Sequence, residues 1–138
     1  MPVISPIALN QRMFYYFLNL EADHDWSGTV LAKWKQMVTP QYLRKNRFRI
    51  PIVKNGGWHF SYMGGAEKVM NKLNSIVDGH PCNSLEEAVV GIEECIKSGK
   101  EVLVHGGKES YHLIDKKELH LNPEILEYIE KKYSYLFR

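Results

Sequence analysis

Aspartate is scarce in this chain of 138 residues, where four Asp stand against twelve Glu. Cysteine is scarcer, with only Cys82 and Cys95, and their separation has no metal-ligand spacing. A disulfide between them is one reading. Two free thiols in a cytoplasmic chain is the other, and it is the one that cysteine use by compartment favours. The longest apolar stretch, Met13 to Leu18, is six residues long, far short of the ~18–20 that a membrane helix needs. The N-terminus lacks a basic segment followed by an apolar one, so no secretory leader is expected and the cytoplasm is the expected location. Excess charge is also missing. A formal charge of +2 is too small to imply nucleic-acid binding by itself. Neither an internal repeat nor a low-complexity segment is visible.

What is present is ordinary globular composition, with 44% apolar and 25% charged residues and eight Tyr. The length suits one domain over residues 1–138, able to bury a substantial core. Met13 to Leu20 reads as a buried aromatic strand and Thr29 to Trp34 as a second, with Glu21 to Asp25 as the polar turn of a long-looped hairpin. Thr39-Pro40 opens a short helix running to about Lys45. Ile50 to Val53 reads as an edge strand, limited by Pro51, and Trp58 to Met63 as a strand between two Gly-Gly breaks. Ala66, Val69, Met70, Leu73, Ile76 and Val77 form one helical stripe. Ser84 with Glu87 is a capping box ahead of a second helix that Gly99 ends. Val102 to His105 and Tyr111 to Ile114 read as strands around Gly106-Gly107. Asn122-Pro123 opens a last helix whose Ile125, Leu126, Ile129 and Tyr133 face inward. The expected class is mixed α and β, α+β, with hairpins and three main helices rather than repeated βαβ units.

Residues 55–67, Asn-Gly-Gly-Trp-His-Phe-Ser-Tyr-Met-Gly-Gly-Ala-Glu, carry the chemistry. Glycine pairs allow close approach of backbone to a ligand, and the rings between them offer flat faces to a sugar or a base. His59 supplies a titratable nitrogen or a metal ligand. Strand alternation places Trp58, Phe60 and Tyr62 on one face and His59, Ser61 and Met63 on the other. A core strand with a merely hydrogen-bonded His is the bland alternative. Arg44, Lys45, Arg47, Arg49 and Lys54 crowd five positive charges into eleven residues, either to hold a diphosphate or as a solvated face. No nucleic-acid motif accompanies them, and no nucleic acid is expected as partner. Asp23-His24-Asp25 formally reads D-x-D but sits in a turn, where Asp is common. His105, His112 and His120 read as structural residues.

The segment 55–67, followed by Lys72-Leu73 and His80, resembles the C-terminal half of glycosyltransferase family 17. The upstream runs Phe14-Tyr15-Tyr16-Phe17-Leu18-Asn19, Trp26-Ser27-Gly28-Thr29 and Pro40-Gln41-Tyr42-Leu43-Arg44 match in the same order, so the likeness covers about residues 12–80. It implies a GT-A-like fold and transfer of a sugar, N-acetylglucosamine, from a UDP-sugar to a β-mannosyl or other glycan acceptor. The complete enzyme would use a divalent cation, Mn or Mg, on the diphosphate. The chain departs from the pattern in starting where the family's second half starts. A complementary N-terminal half, binding the nucleotide sugar, is therefore expected as a partner, and activity of the chain alone is in doubt. Under this resemblance Glu67 is the candidate acceptor base, against a plain first-turn Glu. His59 would hold metal or diphosphate, Trp58 and Tyr62 would stack on sugar, and Ser61, Arg44 and His80 would bind substrate. The rival expectation is a non-catalytic carbohydrate-binding module or a degenerate remnant, without a membrane span in any case.

Overall fold

The computed structural model describes residues 6–36, 39–75, 85–100 and 111–138, with the backbone only for residue 36 and residues 85–90. Ile76, Val77, His80, Cys82, the Ser84 cap, His105 and the strand expected at 102–105 with its Gly106-Gly107 turn lie outside the described residues. The architecture is mixed helix and mainly antiparallel strand, as expected. The strands are β1 (Ile7–Tyr15), β2 (Leu20–Ala22), β3 (Trp26–Leu31), β4 (Ile52–Val53), β5 (Trp58–Ser61) and β6 (Tyr111–Leu113). The α-helices among the described residues are α1 (Pro40–Lys45), α2 (Ala66–Asn74), α3 (Leu85–Ser98) and α4 (Pro123–Tyr133). The chain divides into two compact units. The first is Met1–Met13 with His24–His59, and the second is Phe14–Asp23 with Phe60–Arg138. β1 and β5 each contribute residues to both. Among the described residues, no helix is long and apolar enough to cross a membrane.

In the first unit β1 pairs antiparallel with β3, matching Ala8 with Val30 and Gln11 with Trp26, with a register shift between Leu9 and Gln11. β4 joins β1 in parallel, Ala8 opposite Ile52 and Leu9 opposite Val53. Pro51 precedes β4 and needs no donor there; its carbonyl accepts from Ala8 N at 2.9 Å. α1 forms as its cap predicts: Thr39 Oγ1 accepts from Tyr42 N at 3.0 Å and Pro40 fills the first turn. Leu43 is the residue α1 buries.

In the second unit Phe14, Leu18, Ile114 and Leu119 form a buried cluster, with Leu126, Ile129, Leu136 and Phe137 packed on it. β2 lies between β1 and β6, antiparallel to both. The long aromatic strand expected from Met13 to Leu20 is two elements, because Tyr16 turns into the left-handed region at φ 61. The backbone reverses there and re-forms as β2. Similarly, β3 begins three residues earlier and ends three residues earlier than its expected span. The α2 stripe is as read, with Val69, Met70 and Leu73 buried. On α4 the inward stripe centres on Leu126 and Ile129, and Ile125, a hundred degrees round the helix from Leu126, is 52% exposed rather than inward. Asn122 Oδ1 caps this helix through Glu124 N at 2.9 Å.

Asn19 is the polar residue that closes this core. It is 4% exposed; its Oδ1 accepts from Arg138 N at 2.9 Å, its Nδ2 donates to Arg138 O at 3.0 Å, and its carbonyl accepts from Ile114 N. Removing the amide takes both partners from the Arg138 backbone N–H and C=O. Asn19→Ala is expected to lower unfolding stability by about 2 kcal/mol in urea titration, with little change in the slope of the transition.

Candidate functional site

The first unit builds one cluster around Trp26. The indole lies back along its own strand, over the residue two further on: a Cβ at Gly28 would fall 1.9 Å from Trp26 Nε1, so only glycine leaves room for the ring. The His59 ring packs on it with centroids 5.3 Å apart and planes at 36°. The Arg47 guanidinium stands 5.4 Å from the Trp26 ring and 4.6 Å from that of Phe48, and its Nη1 donates to Arg44 O at 2.9 Å. Arg47 Nε is buried without a hydrogen-bond partner. Trp58 is 37% exposed, and its carbonyl accepts from Gln11 Nε2 at 3.2 Å. The Arg44 side chain is exposed on α1.

The second unit builds another at the end of β5. Alternation holds over Trp58 to Ser61, with Trp58 and Phe60 exposed, His59 half-buried and Ser61 buried. It stops there. Tyr62 takes φ 56, and Gly64 and Gly65 follow at φ 92 and 84, so the glycine pair carries the chain through a left-handed turn into α2. Tyr62 therefore does not share the face of Trp58 and Phe60, as strict alternation requires. It turns inward, 8% exposed, into a group of tyrosines: its ring lies 5.6 Å from Tyr15 and 6.4 Å from Tyr16, and Tyr15 lies 5.1 Å from Tyr111. From α2, Lys72 reaches the same point. Its Nζ stands 4.3 Å from the Tyr62 ring centre and donates to Ser61 Oγ at 3.0 Å. Burial against these rings holds the Lys72 pKa below its ordinary 10.5.

The residues singled out from the sequence are thus dealt into two local settings. His59, Trp58 and Arg44 belong to the first unit, and Ser61, Tyr62 and Glu67 to the second; His80 is not among the described residues. Glu67 is exposed in the first turn of α2, where it suits the helix dipole, while Ser61 is met by Lys72. Lys72, Tyr15, Tyr16 and Tyr111 carry no role in the sequence reading, and their signal was the tyrosine count and the Lys72 spacing after the motif. Trp26 likewise carries no role there, although Trp followed by Gly two residues on is visible, and Arg47 enters it only as one of the five clustered basic residues. His59 is stacked on an indole, Asp25 accepts from Asn10 Nδ2, and Asp23 pairs with His112 Nδ1 at 2.7 Å. Among the described residues no three His, Cys, Asp or Glu side chains gather into a metal-holding set. Burial raises the pKa of the Cys95 thiol, so it stays protonated at neutral pH. No family model, no curated protein and no solved structure matches the chain.

Because the Lys72 pKa is lowered on folding, the unfolded chain holds this proton to higher pH, and stability gained through this group rises as pH climbs towards 10.5. Following the Lys72 side chain by NMR across an alkaline titration should show it losing its proton below 10.5, and Ser61→Ala should shift its midpoint.

Proposed function

We propose that this chain is the acceptor-side half of a family 17 glycosyltransferase, moving N-acetylglucosamine from a UDP-sugar to a β-mannosyl or other glycan acceptor within a GT-A-like enzyme. The observation that carries the reading is local. Stretches that resemble the family, some forty residues apart, meet pairwise: Tyr16 N donates to Ser61 O at 3.0 Å, Phe14 packs on Phe60 at 5.3 Å, and Trp26 packs on His59 at 5.3 Å.

The chemistry asked of the chain follows. The acceptor hydroxyl oxygen forms a bond to the anomeric carbon, the bond from that carbon to the diphosphate oxygen breaks, and UDP leaves with the electron pair. Glu67, exposed at the head of α2, is the carboxylate that takes the hydroxyl proton. In the first unit the part-exposed Trp58 offers a face to a sugar ring, whereas Tyr62, 8% exposed among tyrosines, backs the Lys72 ammonium beside Ser61, a charge suited to the departing diphosphate. A partner half supplies the nucleotide-sugar pocket.

Transfer is tested by release of UDP from UDP-N-acetylglucosamine, with manganese and a β-mannoside acceptor, using the chain alone and together with a nucleotide-binding half that carries D-x-D. Transfer in the mixture, reduced about 10²–10⁴-fold by Glu67→Gln, is expected. No transfer in either arm overturns the enzyme reading, and retained binding on a glycan array then marks a carbohydrate-binding module.

A further inference from the structure

The charge of the chain is divided unevenly. The first unit holds eight Lys and Arg against a single acidic residue, Asp25, while the second holds ten against fifteen. Asp25 is itself engaged by Asn10 Nδ2. The same first unit exposes large apolar side chains: Trp34 at 82%, Phe48 at 66%, Tyr42 at 55%, Leu31 at 53% and Ile52 at 47%. The two kinds of residue interleave along the chain. Lys33 and Lys35 flank Trp34, Arg47 and Arg49 flank Phe48, and Arg44 and Lys45 follow Tyr42. The elements that bear Leu31, Tyr42 and Phe48 adjoin, since β3, α1 and the 3-10 turn Arg47–Arg49 pack on one another, while Ile52 lies on β4, beside β1, and Trp34 follows β3 in the chain.

Exposed apolar side chains in such number need a cover, and its chemistry is constrained. It must be anionic where the Lys and Arg heads reach and apolar where the rings and aliphatic groups reach. The headgroup layer of an anionic bilayer has that profile: basic side chains meet the lipid phosphates while Trp, Tyr and Leu sink to the acyl boundary. Long Lys and Arg stems add to the buried apolar area while their charges stay at headgroup level. Single-stranded nucleic acid would use the charges and the rings, but it gives Leu31 and Ile52 nothing to bury against. We infer that the first unit seats on an anionic phospholipid surface, resting on it and not crossing it.

Sedimentation of the full chain with phosphatidylcholine vesicles, with and without phosphatidylglycerol, tests this. Binding to the phosphatidylglycerol vesicles alone, weakening as salt is raised, is expected. Trp34→Ser with Phe48→Ser should lower partitioning at least about ten-fold. Arg49→Glu with Lys54→Glu, at exposed positions, should lower it comparably with an unchanged circular dichroism spectrum, which keeps the test decisive if the serine pair misfolds. No binding to anionic vesicles at low salt, equal binding to neutral ones, or binding to a single-stranded oligonucleotide in place of vesicles each overturns the inference. None of these outcomes depends on sugar transfer.

Discussion

β1 is the constraint from which the rest of the architecture follows. Four other strands take backbone partners from it, β3 and β2 antiparallel and β4 parallel, with β5 alongside. A strand so surrounded must satisfy its polar side chains as well as its backbone, and Asn10 and Gln11 do so across the ladder. Asn10 Oδ1 accepts from Ser27 Oγ at 2.9 Å, and Gln11 Oε1 accepts from Thr29 Oγ1 at 2.7 Å. These two bonds fix β3 against β1 at the point where the register shifts. A slip by one residue would break both and turn Ala8, fully buried, to the opposite face.

The part of β1 in the second unit obeys a different rule. Phe14 is fully buried and Tyr15 nearly so, and the strand ends only where Tyr16 adopts a conformation that costs an aromatic residue energy. The cost is offset by what the turn makes possible. The Tyr16 hydroxyl donates to Lys100 O, its amide meets Ser61 O, and its ring joins Tyr15 and Tyr62. Tyr62 repeats the device from the other side. Two left-handed tyrosines in contact thus shape the pocket of rings over which Lys72 lies.

These features mark how far the sequence was legible. Helices were read well, because caps and stripes are local: Thr39 with Pro40, Asn122 with Pro123, and the Val69, Met70 and Leu73 face all behave as their spacing says. The ends of strands were not, because nothing in Met-Phe-Tyr-Tyr-Phe-Leu announces a positive φ at its fourth residue. The first half of β1 was missed for the opposite reason: Asn10, Gln11 and Arg12 look like loop residues until their cross-strand partners are known. At the site, the glycine-bracketed motif pointed to the right stretch of chain, yet the side chains that complete each cluster, Trp26 and Arg47 in one and Tyr15, Tyr16 and Lys72 in the other, come from elsewhere. A whole-chain charge of +2 likewise conceals the excess of base gathered in residues 24–59.

The two-residue strand β4 has a bearing on how the chain behaves when crowded. Ile52 and Val53 are an exposed β-branched pair in extended backbone, the composition from which intermolecular strand stacking starts. They are bracketed by Pro51, which has no amide proton to offer a newcomer, and by Lys54, whose charge repels a second copy of itself. The bracket acts as a gatekeeper pair, so that stickiness at this edge is confined to two residues and concentrated solutions are spared a template for fibrous growth.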